Sequence, residues 1–212
     1  TKELTTMKII TISREFGSGG RELGKRLADA LGFKYYDREI LTMLAQETDL
    51  DENYIERTLE NSSQAPLYSI TTGRTFSLLP LYATDQSTAL LGKQTALIKA
   101  LAAKDDCVIV GRNADVILSD EHPLRLFVHA DIDARIARCR RREEEDRNLT
   151  DKAYEKKIRQ IDKQRAKTHA VLSSGSWGDA SDYELTLNTT HMDVKDLVDV
   201  VTVFADKWFK ED

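Results

Sequence analysis

A glycine-rich stretch near the start of the chain has the residue types of a phosphate-binding loop. Gly17, Ser18, Gly19 and Gly20 follow the apolar run KIITIS at residues 8–13 and precede a segment with helical spacing of its leucines. Glycines let successive backbone N–H groups face one point, and a helix N-terminus adds roughly half a positive charge there. This order predicts an anion site, although GSGG in isolation is also typical of a flexible turn.

The loop departs from the P-loop pattern G-x-x-x-x-G-K-[ST] at the positions that contact phosphate and metal. In an alignment of strand and helix without a gap, Gly20 takes the place of the lysine, Arg21 that of the hydroxyl residue, and Arg14 that of the opening glycine. Phosphoryl transfer still needs positive charge near the bridging oxygens. We therefore expect Arg21 at the loop's exit, or Arg14 at its entrance, to replace the lysine. The alternative is that Arg21 pairs with a nearby acid such as Glu22 or Glu15.

Polar residues also follow the next two predicted strands. Asp37 comes directly after the second strand, and Arg112 and Asn113 follow the third. Ligands of open α/β sheets bind at such strand ends. An arginine can bind phosphate with two parallel hydrogen bonds, and an asparagine can read a base or ribose edge. We expect the nucleotide that accepts a phosphoryl group to bind here. The alternatives are that Asp37 is a helix N-cap and that Arg112 forms an ion pair with a nearby acid.

A basic segment lies farther along the chain. Residues 135–167 contain 13 lysines and arginines but 7 acidic residues, so their local charge is +6, whereas the whole chain carries −5. Most of these side chains should be solvated or paired with acids. Two or three of the arginines are expected to neutralise a transferring phosphoryl group.

Composition argues against several classes of protein. The 212 residues are 41% hydrophobic and 32% charged, and they include no apolar run that could span a membrane and no signal-peptide pattern. Two cysteines and four scattered histidines match no metal-ligand spacing. The acidic net charge disfavours a nucleic-acid-binding role. We expect a cytoplasmic protein that binds small-molecule nucleotides, with neither nucleic acid nor membrane as partner, and the oligomeric state stays open.

Five β-type runs alternate with helical patterns and would position these residues. The strongest runs are continuously apolar, as in parallel strands that are covered on both faces. This alternation predicts an α/β fold with a doubly wound, five-stranded parallel sheet. The runs cover residues 8–13, 33–36, 106–111, 124–128 and 183–187.

Helical spacing is clearest at residues 21–31 and 194–208, with Asp193 as a candidate N-cap of the second helix. Two segments interrupt the alternation. Residues 48–105 begin as a polar, loop-rich region and end in a long helix near residue 104, and residues 140–176 form a charged helical excursion.

The order and spacing of these landmarks resemble the cytidylate kinase-like family, a divergent branch of the P-loop nucleoside monophosphate kinases. The matching segments run through nearly the whole chain: ITISREFGSGGREL, YYDREI, VIVGRNADVIL, FVHADIDARIARCRRR, and a tail from IDKQRA to WGDASDYELTLNTT. The resemblance implies one P-loop kinase-type domain over residues 7–212, with its core at about 7–47, 106–139 and 177–212. The insertion at about 48–105 would bind the acceptor, and about 140–176 would form a helical lid.

The resemblance also implies ATP with Mg²⁺ as donor and a pyrimidine monophosphate, CMP or dCMP, as acceptor. Ordinary cytidylate kinases carry the loop lysine, and they have an aspartate where this chain has Asn113. A kinase for another small metabolite and a catalytically silent nucleotide-binding module therefore stay open as alternatives. Carried over by position, Gly17, Ser18, Gly19 and Gly20 would bind the donor phosphates, Asp37 and Arg112 would face the acceptor, and Arg135, Arg138 and Arg165 would be lid arginines. Beyond the resemblance, we expect Arg21 to join the donor-phosphate residues and Asn113 and Arg165 to join the acceptor residues. The expected catalytic arginines are Arg21, Arg14 and Arg138.

The glycine loop should hold an anion even without nucleotide. We expect crystals grown with sulfate or phosphate to show one ion bound to the backbone N–H groups of residues 17–21, because a glycine loop at a helix N-terminus concentrates donors and positive charge. Electron density for an empty loop folded against the core under those conditions would contradict the site.

Overall fold

The computed structural model describes residues 7–61, 82–142 and 149–210. Its centre is a five-stranded sheet with strand order β2-β3-β1-β4-β5 and all neighbours parallel, which confirms the predicted fold class. The strands are β1 (Ile9–Arg14), β2 (Lys34–Tyr36), β3 (Cys107–Val110), β4 (Leu124–His129) and β5 (Leu185–Asn188).

Helices cover both faces of this sheet. They are α1 (Gly20–Leu31), α2 (Glu39–Thr48), α3 (Glu52–Asn61), α4 (Tyr82–Ala102), α5 (Ala114–Ile117), α6 (Ile132–Arg142), α7 (Asp151–Leu172) and α8 (Val194–Trp208). Short 3-10 turns lie at Ser119–Glu121 and Ala180–Asp182. No helix within the described ranges is long and apolar enough to cross a membrane.

Successive strand residues enter two separate cores because side chains alternate across a sheet. Ile10 and Ile12 of β1 pack with the apolar faces of α1 and α8. Ile9 packs on the opposite face with residues of α2, α3, α4 and α5. All four residues of β3 are buried, which explains why its sequence is apolar without alternation.

The predicted elements match the structure apart from their ends. The long helix ends at Ala102, and the last strand begins at Leu185, two residues later than expected. Asp193 occupies the N-cap position of α8, but its side chain makes no capping hydrogen bond. The polar stretch after residue 48 contains α3, while residues 62–81 lie outside the described residues. The boundaries of the acceptor insertion and of the lid stay predictions.

Two helical glycines provide a matched test of the packing of α1. A Cβ on Gly24 would lie 2.6 Å from Val110 Cγ2, whereas a Cβ on Gly92 of α4 would meet nothing within 4 Å. Gly24→Ala should therefore lower the free energy of unfolding by about 1–3 kcal/mol through overpacking. Gly92→Ala should raise it by about 0.5–1 kcal/mol, because alanine favours helix. Chemical denaturation measures both values, and an equal effect of the two variants would contradict the close packing.

Candidate functional site

The turn between β1 and α1 has the backbone geometry of an anion-binding nest. Gly17 and Gly19 have φ values of 80° and 93°, and Phe16 and Ser18, which alternate with them, have negative φ. Such alternation turns successive N–H groups toward one side. The first intrahelical bond of α1 runs from Leu23 N–H to the Gly19 carbonyl at 3.0 Å. The N–H groups of residues 20–22 therefore have no acceptor within the helix.

Two arginines of α6 and α7 bind carbonyls of this loop. Arg135 Nε donates to the Phe16 carbonyl at 2.8 Å, and Arg165 Nη1 donates to the Arg14 carbonyl at 2.9 Å. Both guanidinium groups also pair with Asp162 of α7, whose Oδ1 accepts the Phe16 N–H at 2.7 Å. The loop and α7 are thus joined by one network of charge-assisted hydrogen bonds.

Arg135 lies at the centre of that network. It is 6% exposed and pairs with Glu15 Oε1 at 3.1 Å as well as with Asp162. The sequence predicted Arg135 as a lid arginine, but it lies on α6, before the predicted lid, and its side chain holds the loop. Any contact of this residue with phosphate stays a prediction.

Arg138, also on α6, binds the next carbonyl of the loop. Its Nη1 donates to the Ser18 carbonyl at 3.4 Å and to Thr189 Oγ1 at 3.0 Å, and its Nη2 donates to the Thr189 carbonyl. Burial lowers the pKa of the Arg138 guanidinium, and the nearby Arg141 and Arg142 lower it further. A crowded, half-buried cation of this kind gains stability when an anion approaches it.

Asp37 brings together the two arginines that were predicted to replace the loop lysine. Its Oδ2 lies 2.5 Å from Arg21 Nε, and its Oδ1 lies 3.8 Å from Arg14 Nη2. The N-cap position of α2 belongs to Arg38, so the N-cap alternative for Asp37 is wrong. Arg21 does pair with an acid, as the alternative expected, but that acid is Asp37 at the end of β2 rather than Glu22 or Glu15.

Arg112 and Asn113 follow β3 in a strained conformation. Their φ values are 59° and 54°, in the left-handed region that non-glycine residues seldom adopt. Arg112 Nη2 lies 3.3 Å from Glu56 Oε1, so the ion-pair alternative is confirmed as the arrangement in this structure. Asn113 Nδ2 donates to the Thr168 carbonyl of α7 at 3.4 Å. Backbone strain of this type is concentrated at functional sites.

Gln94 of α4 binds the backbone of Arg112. Its Nε2 donates to the Arg112 carbonyl at 3.4 Å. Because a carbonyl can only accept a hydrogen bond, this contact fixes which atom of the side-chain amide is the nitrogen and which is Oε1. Oε1 is buried, and in the described part of the chain no hydrogen-bond partner reaches it. The sequence analysis missed Gln94, although its position interrupts an apolar stripe formed by Leu90, Ile98 and Ala102. A polar residue on such a stripe is the signal that could have found it.

These residues line one cleft of about 800 Å³ at the carboxyl ends of β1, β2 and β3. Its volume falls in the range of small-molecule sites. The side chains that line it include two acids, Asp37 and Glu56, and seven cations on a chain whose net charge is −5. The seven cations are Arg14, Arg21, Arg38, Arg57, Arg112, Lys157 and Arg165.

A second cleft of about 250 Å³ also reaches the first turn of α1. Arg21 lines the larger cleft, and Glu22 lines this smaller one together with Arg138, Arg142 and the start of α8 at Val194. The glycine loop therefore has a cleft on either side of its helix start.

The site offers no dedicated metal cage in the ranges that the structure describes, since three or more histidine, cysteine or acidic side chains do not cluster there. Position 21, which holds the metal-binding hydroxyl in the usual loop, is an arginine. Mg²⁺ is commonly held by substrate phosphates with one or two carboxylates.

The sheet order and the glycine loop define a P-loop kinase-type domain. The model of the cytidylate kinase-like family matches residues 9–191, and the chain therefore belongs to that family.

Solved structures share this fold. A crystal structure of an uncharacterized protein from Eubacterium ventriosum is 25% identical, with a TM-score of 0.67 over 94% of this chain and 99% of that one. Shikimate kinase from Bacteroides thetaiotaomicron is 13% identical, with a TM-score of 0.56 over 94% and 99% of the two chains. A gluconokinase from Sinorhizobium meliloti is 13% identical, with a TM-score of 0.51 over 98% and 95%. No curated protein matches the sequence.

The network around Asp162 should stabilise the protein. Asp162→Ala would leave buried Arg135 with Glu15 as its acid partner and would remove the acceptor of the Phe16 N–H. We expect the free energy of unfolding to fall by about 3 kcal/mol, since buried Arg135 loses one of its two carboxylates and the Phe16 N–H loses its acceptor. Glu155→Ala is the control, because it removes an exposed i,i+4 pair on the same helix and should cost about 0.5 kcal/mol or less. Similar losses in both variants would contradict a special role for Asp162.

Proposed function

We propose that this protein transfers the γ-phosphoryl group of ATP, bound as its Mg²⁺ complex, to a small anionic acceptor, and that this acceptor is CMP or dCMP. The observation that carries the proposal is the strongly basic cleft that opens directly at the glycine loop. A site with a large excess of arginines on an acidic chain suits a ligand with several negative charges. Membership of the cytidylate kinase-like family supports the choice of acceptor.

The donor phosphates would bind the N–H groups at the start of α1. The smaller cleft beside Glu22 and Val194 would hold the nucleoside part of ATP, with Arg138 and Arg142 at its wall. Arg138 contacts the Ser18 carbonyl and lines this cleft, which supports its predicted role as a catalytic arginine.

The acceptor would occupy the larger cleft, with its phosphate toward the loop. Arg112 and Arg165 would bind that phosphate, and Asp37 and Asn113 line the same space. Gln94 Oε1, buried and without a hydrogen-bond partner among the described residues, would accept a hydrogen bond from the acceptor. The amino group of cytosine is a donor of the required kind.

The chemistry needs positioning and charge rather than a proton acceptor. A monophosphate is already ionised at neutral pH, so its oxygen can attack the γ-phosphorus in line without a general base. Negative charge then spreads over the transferring group, and preorganised arginines stabilise it. Arginines that are fixed by ion pairs before the substrate binds lose little freedom during the reaction.

A comparison of acceptors tests the proposal. ATP consumption should be measured with CMP, dCMP, UMP, AMP, shikimate and gluconate at equal concentrations. CMP or dCMP should give the highest kcat/KM. Turnover of shikimate or gluconate alone would assign another acceptor, and ATP binding without any transfer would indicate a silent nucleotide-binding module.

Arg112 should act on the acceptor and not on the donor. Arg112→Ala should lower kcat/KM for CMP at least tenfold, because a charge-assisted pair with phosphate is lost, and tenfold corresponds to about 1.4 kcal/mol. The dissociation constant of ATP, measured by calorimetry, should change less than about threefold, well under 1 kcal/mol. Arg159→Ala, on the exposed side of α7, is the matched control and should change neither value. A collapse of ATP affinity in Arg112→Ala would show that the two clefts are assigned in reverse.

A further inference from the structure

The side chain of Arg14 fills the space that a side chain at position 20 would need. A Cβ placed on Gly20 would lie 2.7 Å from Arg14 Cβ, 3.0 Å from Arg14 Cγ and 3.3 Å from Val128 Cβ. Separations under 3.0 Å between carbon atoms require something to move, and the nearest atom here belongs to the stem at the strand end. A residue larger than glycine at position 20 would therefore clash with Arg14 in the side-chain conformation that it adopts here.

The far end of Arg14 rests on a second glycine. A Cβ on Gly111 would overlap Arg14 Nη1, and Gly111 itself has φ of 75°, which favours glycine. From there the guanidinium extends into the larger cleft, where its Nη2 lies 3.8 Å from Asp37 Oδ1. Arg14 thus passes between two glycines from the end of β1 to the ligand side of the loop.

A lysine at position 20 would compete for the same path. Position 20 is the first residue of α1, and long side chains in a helix lean back toward its N-terminus. The lysine of the usual P-loop, which takes this position, reaches the β- and γ-phosphates. The backward lean would carry it over the loop and against the Arg14 stem.

We infer that Arg14 and Gly20 are an exchanged pair: the phosphate cation that other P-loops carry at the helix start is supplied here from the end of β1, and glycine at position 20 makes room for it. The inference rests on the proposed phosphoryl transfer and assigns the catalytic cation within it. The usual pattern has glycine at the position of Arg14 and lysine at the position of Gly20. This chain has the cation at position 14 and the glycine at position 20.

Arg14 suits this role better than Arg21. Arg21 is about half exposed, and its Nε is held by Asp37 at 2.5 Å. The Arg14 side chain is 16% exposed, and burial together with the neighbouring Arg165 lowers the pKa of its guanidinium to about 9. A desolvated cation that is crowded by other cations gains more from a bound phosphate than an exposed one does.

A double-mutant cycle tests the exchange. Arg14→Gly should lower kcat for CMP about 10²-fold, the effect of removing one preorganised electrostatic group. Gly20→Lys should lower it as much, because the new side chain collides with Arg14. The double variant R14G/G20K restores the usual pattern and should recover kcat to within about tenfold of the wild type, a strong departure from additivity. A double variant that is folded and at least as inactive as either single variant would overturn the exchange.

Arg14→Met separates charge from packing. It keeps an unbranched stem between the two glycines but removes the guanidinium, so kcat should fall as in Arg14→Gly while the melting temperature stays near that of the wild type. Full activity of Arg14→Met would show that the cation is not needed and would overturn the inference.

The same four proteins of the cycle should be titrated with ADP by calorimetry. If the wild type transfers phosphate but the cycle is additive in both kcat and ADP affinity, the inference fails and the proposed function stands. If the wild type transfers to none of the acceptors tested, the proposed function fails. In that event ADP affinity that is lost in the single variants and recovered in the double variant would still support the exchange, and additive losses of affinity would overturn it.

Discussion

The hydrogen bonds from the arginines of α6 and α7 to the loop carbonyls are the constraint on which the site depends. Arg165, Arg135 and Arg138 bind the carbonyls of residues 14, 16 and 18 in order along the chain. A glycine-rich turn without such anchors would sample many conformations, because glycine restricts its backbone least. With these carbonyls bound, the course of the loop is fixed, and the N–H groups of residues 20–22 at the start of α1 have no acceptor within the helix. The arginine-rich helices α6 and α7 therefore determine the shape of the glycine-rich turn.

A high density of like charge is the second condition that the structure must meet. Arg14, Arg21, Arg112 and Arg165 lie around one cleft, and their mutual repulsion would be unfavourable without compensation. Asp37 compensates by bridging two of them. The acids Asp37 and Glu56 orient the guanidinium groups, and preorganised cations of this kind suit an anionic ligand.

The sequence predicted the parts of the site that are local in the chain. An apolar strand, a glycine turn and an amphipathic helix follow one another at residues 8–31, so short-range patterns were sufficient to place the glycine turn between β1 and α1. Asp162 could not be found in this way, because it meets Phe16 across 146 positions and its own surroundings look like any solvated helix face. The partner of Arg21 was misjudged for the same reason: Asp37 is adjacent only after β2 pairs with β3. Gln94 was missed although its position is informative, because one polar residue within a buried apolar stripe changes the helical pattern only slightly.

The left-handed backbone at Arg112 and Asn113 places two kinds of selection in opposition. Glycine adopts such a conformation without steric cost, whereas each non-glycine residue there costs on the order of 1 kcal/mol. Evolution toward greater thermal tolerance would thus favour glycine at both positions, and the same change would remove the guanidinium from the cleft. Adaptation of this protein to heat would require stabilising changes elsewhere, for example at exposed Gly92 in α4, where no such conflict exists.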